Sequence, residues 1–315
     1  MTSENHLFTS KKCKNGTMRV IYGGIMKTYH VLYNNAAGGH EAGTRACVTE
    51  VEKLQGKIKM VNLENFEGHK ELVESLGEDD VIVICGGDGT LNHYINALRG
   101  VDYDNQVLYY PGGSGNDFFH CVKGDCTPTL IEVTHLVKGL PTALIKGKEY
   151  TFINGIGYGI DGYCCEVADK QREKGKTEIN YTAIAILGVL FFYKPSGVTI
   201  TVDGVEHRFE NAWLAPTMNG RFYGGGMMPT PEQKRNSGEL SVMVFHCKSK
   251  LRLLTIFPSL FKGEHVKHTK YVSVFKGKEI TVKYDVPKPL QVDGETVVDV
   301  PECTMKAYSK DFAEV

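Results

Sequence analysis

Residues 81–85, Val-Ile-Val-Ile-Cys, form an unbroken apolar run that leads straight into Gly86-Gly87-Asp88-Gly89-Thr90. A β-branched run of this kind fits a central parallel strand covered on both faces. Beyond the glycines, apolar residues return at Leu91, Ile95 and Leu98, which is helical spacing. Strand, glycine turn and helix in that order leave few folds open. They call for an open α/β sheet with a loop at the carboxyl end of a strand. The glycines let backbone turn tightly and approach a ligand without Cβ clashes. The start of the next helix offers free amides and a positive dipole end to phosphate. Asp88 would repel phosphate unless a cation lay between them, which is the reason to expect Mg²⁺ there.

The flanking chain repeats the alternation. Residues 31–33, 58–63 and 107–110 read as strands, and 43–54 and 69–76 as helices closed by Gly56 and Gly77. This order predicts a doubly wound α/β domain over residues 26–155, after a disordered extension over residues 1–25. Helical pattern then runs from residue 163 to about 193. Past that point short alternating runs dominate, with Asp203-Gly204 a hairpin signal between residues 198–202 and 205–209. Residues 275–282 and 290–300 read the same way, and one helix is expected near 251–261. An antiparallel β-rich domain is therefore expected over residues 156–300, with residues 301–315 returning to the first domain.

A second glycine loop, Pro111-Gly112-Gly113-Ser114-Gly115-Asn116-Asp117, follows the strand at 107–110. Loops at the carboxyl ends of neighbouring strands share one crevice. Two such loops make a nucleotide cradle, and Asn34-Asn35-Ala36-Ala37-Gly38-Gly39 after the first strand can complete it. Other nucleotide signatures fail. Residues 38–44 have P-loop spacing without the lysine. Residues 157–162 match GxGxxG, but no acidic strand end follows about 20 residues later. A turn carrying a functional Asp161 is the better reading.

Formal net charge is −1, which gives no overall bias toward nucleic acid. The nine cysteines are odd in number and contain no CxxC pair, which fits a reducing, cytoplasmic setting. The longest apolar run, residues 182–193, is about 12 residues against the roughly 20 that a spanning helix needs. It reads as a buried helix or one resting on a bilayer. Residues 246–270 interleave Lys248, Lys250, Arg252, Lys262, Lys267 and Lys270 with apolar side chains, which reads as a β-domain helix with its apolar face in the core and a solvated basic face, or as a segment suited to peripheral contact with an anionic inner membrane face.

Taken together, Gly86 to Asn92, residues 111–118, 154–161, Gly224-Gly225-Gly226-Met227 and Asp293-Gly294-Glu295 resemble the bacterial diacylglycerol kinases and related lipid kinases, including sphingosine and ceramide kinases. The resemblance runs from about residue 29 to the C-terminus. The first motif is also shared with NAD kinases. The resemblance implies a nucleotide domain, a β-sandwich-like second domain and a cleft between them. It implies an ATP-dependent kinase of a lipid alcohol, diacylglycerol first among them; the alternatives are an NAD kinase-like enzyme and a non-catalytic nucleotide-binding regulator. A homodimer is compatible with it. It assigns nucleotide contacts to Asn34, Asn35, Ala36, Ala37, Gly38, Asn62, Gly86 through Asn92 (Gly87, Asp88, Gly89, Thr90 and Leu91 between them), Gly113, Ser114 and Asn116. It assigns the Mg²⁺ network to Asp88, Asp117 and Asp161, and the general base to Asp293 or Glu295. Bacterial relatives carry Asp-Gly where this chain has Ser237-Gly238, as part of a separate structural metal site. With Lys234, Ser237 and Glu239 at the matched positions, that site is expected to be weak or absent.

Overall fold

In a computed structural model, residues 26–34, 40–176 and 178–308 are described. The expected extension over residues 1–25 lies outside them. Five strands form the first sheet: β1 (Thr28–Tyr33), β2 (Lys57–Asn62), β3 (Val81–Gly86), β4 (Val107–Pro111) and the short β5 (Ile131–Glu132). Their order is β2-β1-β3-β4-β5, all parallel except β5. β3 is buried along its whole length between β1 and β4, which is why its sequence shows no alternation. Helices α1 (His40–Glu52), α2 (His69–Glu74), α3 (Asp88–Ala97), α4 (Asp117–Lys123) and α5 (Thr134–Lys138) connect and flank these strands. Leu32, Ile84 and Leu91 belong to the core on one face, and Val31, Cys47 and Val83 to the core on the other. The domain is therefore doubly wound, and the strand order reverses between β1 and β3, the place where open α/β sheets commonly bind ligands.

The second sheet is antiparallel. It contains β6 (Thr142–Ile145), β7 (Lys148–Thr151), β8 (Gly155–Tyr158), β9 (Ser196–Val202), β10 (Val205–Leu214), β11 (Thr217–Met218), β12 (Leu240–His246), β13 (Val272–Gly277), β14 (Glu279–Val292) and β15 (Glu295–Lys306). β14 is long because it serves two neighbours. Its first half pairs with β9, Ile280 opposite Val202, and its last residues pair with β8, Val292 opposite Ile156. Irregular register between Lys283 and Leu290 bends it from one to the other, so the sheet closes into a two-layered β structure. Val198, Ile200, Val242, Val282 and Leu290 fill the space inside. Helices α6 (Ile160–Glu173), α7 (Tyr181–Leu187) and α8 (Lys250–Ile256) cover the outside around Trp213 and Phe245.

Several boundaries differ from those read in the sequence. β6 and β7 lie within residues 26–155 but pair in the second sheet, β6 directly with β15. The turn from one sheet to the other therefore comes near Leu140, where polar-apolar alternation is too short to register. Residues 301–306 likewise stay in the second sheet as the end of β15. The helix expected over 163–193 is broken: α6 ends before Gly175, α7 follows, and a π-helical turn, Gly188–Phe192, finishes it. Of residues 182–193 only Ile184, Gly188, Val189 and Tyr193 are buried, so the stretch is no buried helix. The strand expected over 275–282 is cut at Gly277, and α8 gives way to a 3₁₀ turn containing Pro258.

The two glycine loops touch backbone to backbone. A Cβ on Gly113 would stand 2.4 Å from Gly87 Cα, and one on Gly86 2.4 Å from Thr90 Oγ1. A Cβ on Gly89 meets nothing within 4 Å. Gly113→Ala should therefore cost about 1–3 kcal/mol in chemical denaturation, the usual penalty of overpacking. Gly89→Ala, inside α3, should leave stability equal or slightly raised. Equal loss in both variants would show that backbone contact between the loops is not what demands glycine.

Candidate active site

The carboxyl ends of β1, β3 and β4 bring Asn34, Gly86 and Pro111 to one edge of the parallel sheet. Asp88 follows the first glycine pair and opens α3, yet its carboxylate serves another helix. Asp88 Oδ2 accepts the Asp117 N–H at 2.9 Å, and Oδ1 accepts the Phe118 N–H at 2.8 Å. These are the first free amides of α4. Its own N-cap, Asn116, sits at φ 51° and makes no side-chain cap bond. Asn116 instead closes the second glycine loop on itself, accepting the Gly113 N–H at 3.1 Å and donating to the Gly113 carbonyl at 2.7 Å. Asp88 thus supplies the cap that α4 lacks, with the helix dipole favouring its charge.

The second domain reaches the same carboxylate. Asn154 Nδ2 donates to Asp88 Oδ1 at 3.1 Å, and Asn154 Oδ1 accepts from Arg235 Nη2 at 2.7 Å. The Arg235 guanidinium lies 4.6 Å over the Phe118 ring, which stacks it on the first domain as well. Asp117 completes the join from the other side. Its two oxygens accept the Gly225 and Gly226 N–H groups, each at 2.7 Å. Burial, and after it the Asp88 charge, push the Asp117 carboxyl up to about 6.

Asp293 stands in the β14–β15 turn at φ 45° and is the most heavily bonded acid of the three. It accepts N–H groups from Ile153 at 2.5 Å, Asn154 at 2.9 Å and Gly155 at 3.0 Å, and the Asn92 side-chain amide at 2.8 Å. Burial pushes its carboxyl above the ordinary range against the pull of these donors. Glu295, two residues on, is exposed, and its side chain has no hydrogen bond among those of the described residues. The matching turn at Asp203 also collects two backbone amides, Lys278 at 2.9 Å and Glu279 at 2.8 Å, but far from the glycine loops in sequence and sheet.

The expected site residues divide by what their side chains do. Gly86, Gly87 and Gly113 are contact points between loops, whereas Gly89 and Ser114 are exposed and Thr90 is half-buried. Leu91 is fully buried in the core. Asn92 is a strut to Asp293 rather than a free group at the loop, and Asn62 accepts the Glu64 N–H at 3.1 Å. Asn34 is at the sheet edge, while Asn35, Ala36, Ala37 and Gly38 lie outside the described residues. Asp161, at the start of α6, accepts from Gln291 Nε2 at 3.1 Å and faces the Tyr223 hydroxyl. Burial pushes it, too, up to about 6. A Cβ on Gly157 would lie 1.5 Å from its Oδ2, and one on Gly162 would lie 2.2 Å from the Pro289 carbonyl oxygen. The glycines of the GxGxxG string therefore let α6 pack on β14.

Asp88, Asp117 and Asp161 do not form one ligand cage. No group of three or more His, Cys, Asp or Glu among the described residues could hold a metal ion. Both oxygens of Asp88 and of Asp117 already accept N–H donors. The pair does fit a cation carried in by a ligand's phosphates, because Asp117 is raised partly by Asp88 and a positive ion nearby would relieve both. Arg235, which holds Asn154, and Gln291, which donates to Asp161, were missed as parts of the site, and Asn154 lies in the 154–161 string without an assigned role. Isolated amides and one arginine carry no spacing signal; only their partners reveal them.

The comparisons with known proteins agree with this layout. Residues 28–145 match the diacylglycerol kinase catalytic domain, and residues 154–308 the YegS C-terminal NAD kinase beta sandwich-like domain. A diacylglycerol kinase of Mycobacterium tuberculosis is 26% identical over 261 residues, covering 79% of this chain and 83% of that protein. The crystal structure of a diacylglycerol kinase from Bacillus anthracis superposes with a TM-score of 0.62 at 20% identity, covering 91% of this chain and 98% of that one. That superposition establishes the two-domain fold.

The raised carboxyls set a pH dependence. A group whose folded pKa exceeds its unfolded value of 3.8 keeps a proton in the folded state that the unfolded state releases. Without nucleotide, unfolding free energy should therefore fall as pH rises from about 4 to about 6 and level off above. Asp117→Asn should flatten part of that slope. A stability that climbs across this window in both proteins would show that the amide donors outweigh burial.

Proposed function

We propose, starting from a chain that belongs to the diacylglycerol kinase-type lipid kinases by its catalytic domain over residues 28–145 and its β-sandwich-like domain over residues 154–308, that it transfers the γ-phosphoryl group of ATP to the hydroxyl of a lipid alcohol, diacylglycerol first. The observation that carries this reading is the Asn92–Asp293 hydrogen bond of 2.8 Å. Asn92 belongs to the helix that opens in the first glycine loop, so the bond seats the β14–β15 turn against the phosphate-binding element. Phosphoryl transfer needs positioning, charge neutralisation and a proton acceptor. The open faces of Gly89, Thr90 and Ser114 suit the phosphates. Mg²⁺ arriving with ATP would neutralise their charge beside Asp88 and Asp117. Asp293 already accepts four N–H donors, which leaves its oxygens little room for a substrate hydroxyl, so it positions the turn. Glu295, exposed and unencumbered, is the general base.

The lipid must be met at a surface. No helix among the described residues is long and apolar enough to cross a membrane. The second domain instead exposes Phe191 by 69%, Phe192 by 67% and Leu251 by 72%, with Leu187 and Leu190 beside the two phenylalanines. Lys250 ties the two segments together by donating to the Leu190 carbonyl at 2.6 Å. Exposed Lys194, Lys248, Arg252 and Lys262 lie in the same segments. Large apolar side chains beside basic ones match an anionic bilayer surface. The inward side chains Leu253, Ile256 and Leu260 are core residues and take no part.

With Mg-ATP and diacylglycerol in detergent micelles, Glu295→Gln should lower kcat by roughly 10²-fold with melting temperature unchanged. Asp293→Asn should lose stability as well, since its amide would face backbone N–H donors. Wild-type turnover by Glu295→Gln would remove Glu295 as base; turnover of NAD but of no lipid would overturn the substrate class. Separately, Phe191→Ser/Phe192→Ser should bind anionic vesicles several-fold more weakly in flotation while keeping kcat in micelles. Unchanged flotation would place membrane contact elsewhere.

A further inference from the structure

Gln233 is 2% exposed and sits in the loop between β11 and β12. Its Nε2 donates toward three backbone carbonyls at once: Glu239 at 2.9 Å, Lys234 at 3.0 Å and Asn219 at 3.4 Å. Its Oε1 accepts the buried Ser241 hydroxyl at 2.6 Å. The orientation is set by the network, because the flipped amide would turn an oxygen against three oxygens. Carbonyl oxygens that converge on one point are an arrangement in which a hard cation is commonly found. Here two N–H groups occupy that point. Lys234 and Glu239 are two of the three positions to which the resemblance assigns a structural metal. The third, Ser237, has no carboxylate and turns its hydroxyl to the Glu239 carbonyl at 3.3 Å.

We infer that the side-chain amide of Gln233 replaces a structural cation in this chain, bracing the 233–241 loop without metal. The brace has a consequence for the site. Arg235 lies in the same loop and holds Asn154, whose amide donates to Asp88. Asn219, 2% exposed, is the other end of the clamp: it donates to the Ile153 carbonyl at 3.1 Å and to Asn236 at 3.3 Å. Gln233 is thus a positioning residue for the support of Asp88, acting through Arg235 and Asn154, and this holds whichever substrate the enzyme takes.

The test needs no activity measurement. The melting temperature of the wild-type protein, without nucleotide, should agree within about 1 °C in excess EDTA, Mg²⁺ or Ca²⁺. Gln233→Ala removes the donor shared by three backbone carbonyls, that of buried Asn219 among them, and the partner of the buried Ser241 hydroxyl, and should melt roughly 5 °C lower or more. Gln233→Ala/Ser237→Asp restores room and a carboxylate, and should regain stability with Mg²⁺ or Ca²⁺ but not in EDTA. A wild-type melting temperature that rises with either cation overturns the inference, as does Gln233→Ala melting like wild type. If Gln233→Ala does not fold, the wild-type cation series and the double variant decide.

Discussion

The Asp88 carboxylate is where the two halves of the molecule are made dependent on each other. It lies in the first glycine loop, it caps α4 beneath the second, and it accepts the Asn154 amide from the other domain. An ionised carboxylate can satisfy several donors at once, and the bonds are strengthened by its charge. Asp117 and Asp293 repeat the device with other segments: the Gly225–Gly226 amides on one, the 153–155 amides and Asn92 on the other. Acids at this interface therefore spend most of their lone pairs on backbone. Whatever chemistry occurs there is left to groups that are not already saturated.

That division explains how much of the site could be read from residues alone. The strand at 81–85, both glycine loops and the two Asp-Gly turns were legible because each depends on local spacing and backbone sterics. Leu91, Asn92 and Asn116 belong to the same strings, and a string does not say which of its members faces a ligand. Asn92 points across to Asp293, and Asn116 inward to Gly113. The roles of Asn154 and Arg235 were illegible for a related reason: Asp88 is 66 residues from Asn154, and Asn154 is 81 from Arg235. The fold class followed from the alternation of elements. The assignment of β6 and β7 did not, because a four-residue strand carries too little pattern to say which sheet it joins.

The outer helices of the second domain show how one segment can serve two solvents. Trp213, Leu253 and Leu260 bury the inner face of this layer. The π-helical turn at Gly188–Phe192 widens the backbone there and swings Phe191 and Phe192 outward, away from that core. Gly188 allows this by lying against Tyr163, where a Cβ would come within 2.7 Å of the ring. Apolar residues in one run of sequence are thus shared between the interior and the surface, which is why the run reads as neither a clean amphipathic helix nor a spanning one.

The pairing of β15 with β6 and β14 also has a meaning for the order in which the protein is made. The first sheet is complete once residue 132 has been synthesised, with every strand close to its neighbours in the chain. The second cannot close until the last strand, Glu295–Lys306, has emerged to lie between β6 and β14. A nascent chain on the ribosome therefore carries a complete parallel sheet beside an open antiparallel one with unpaired edges. The final dozen residues of β15 act as a clasp, and the interval before they arrive is the one in which a chaperone has most to protect.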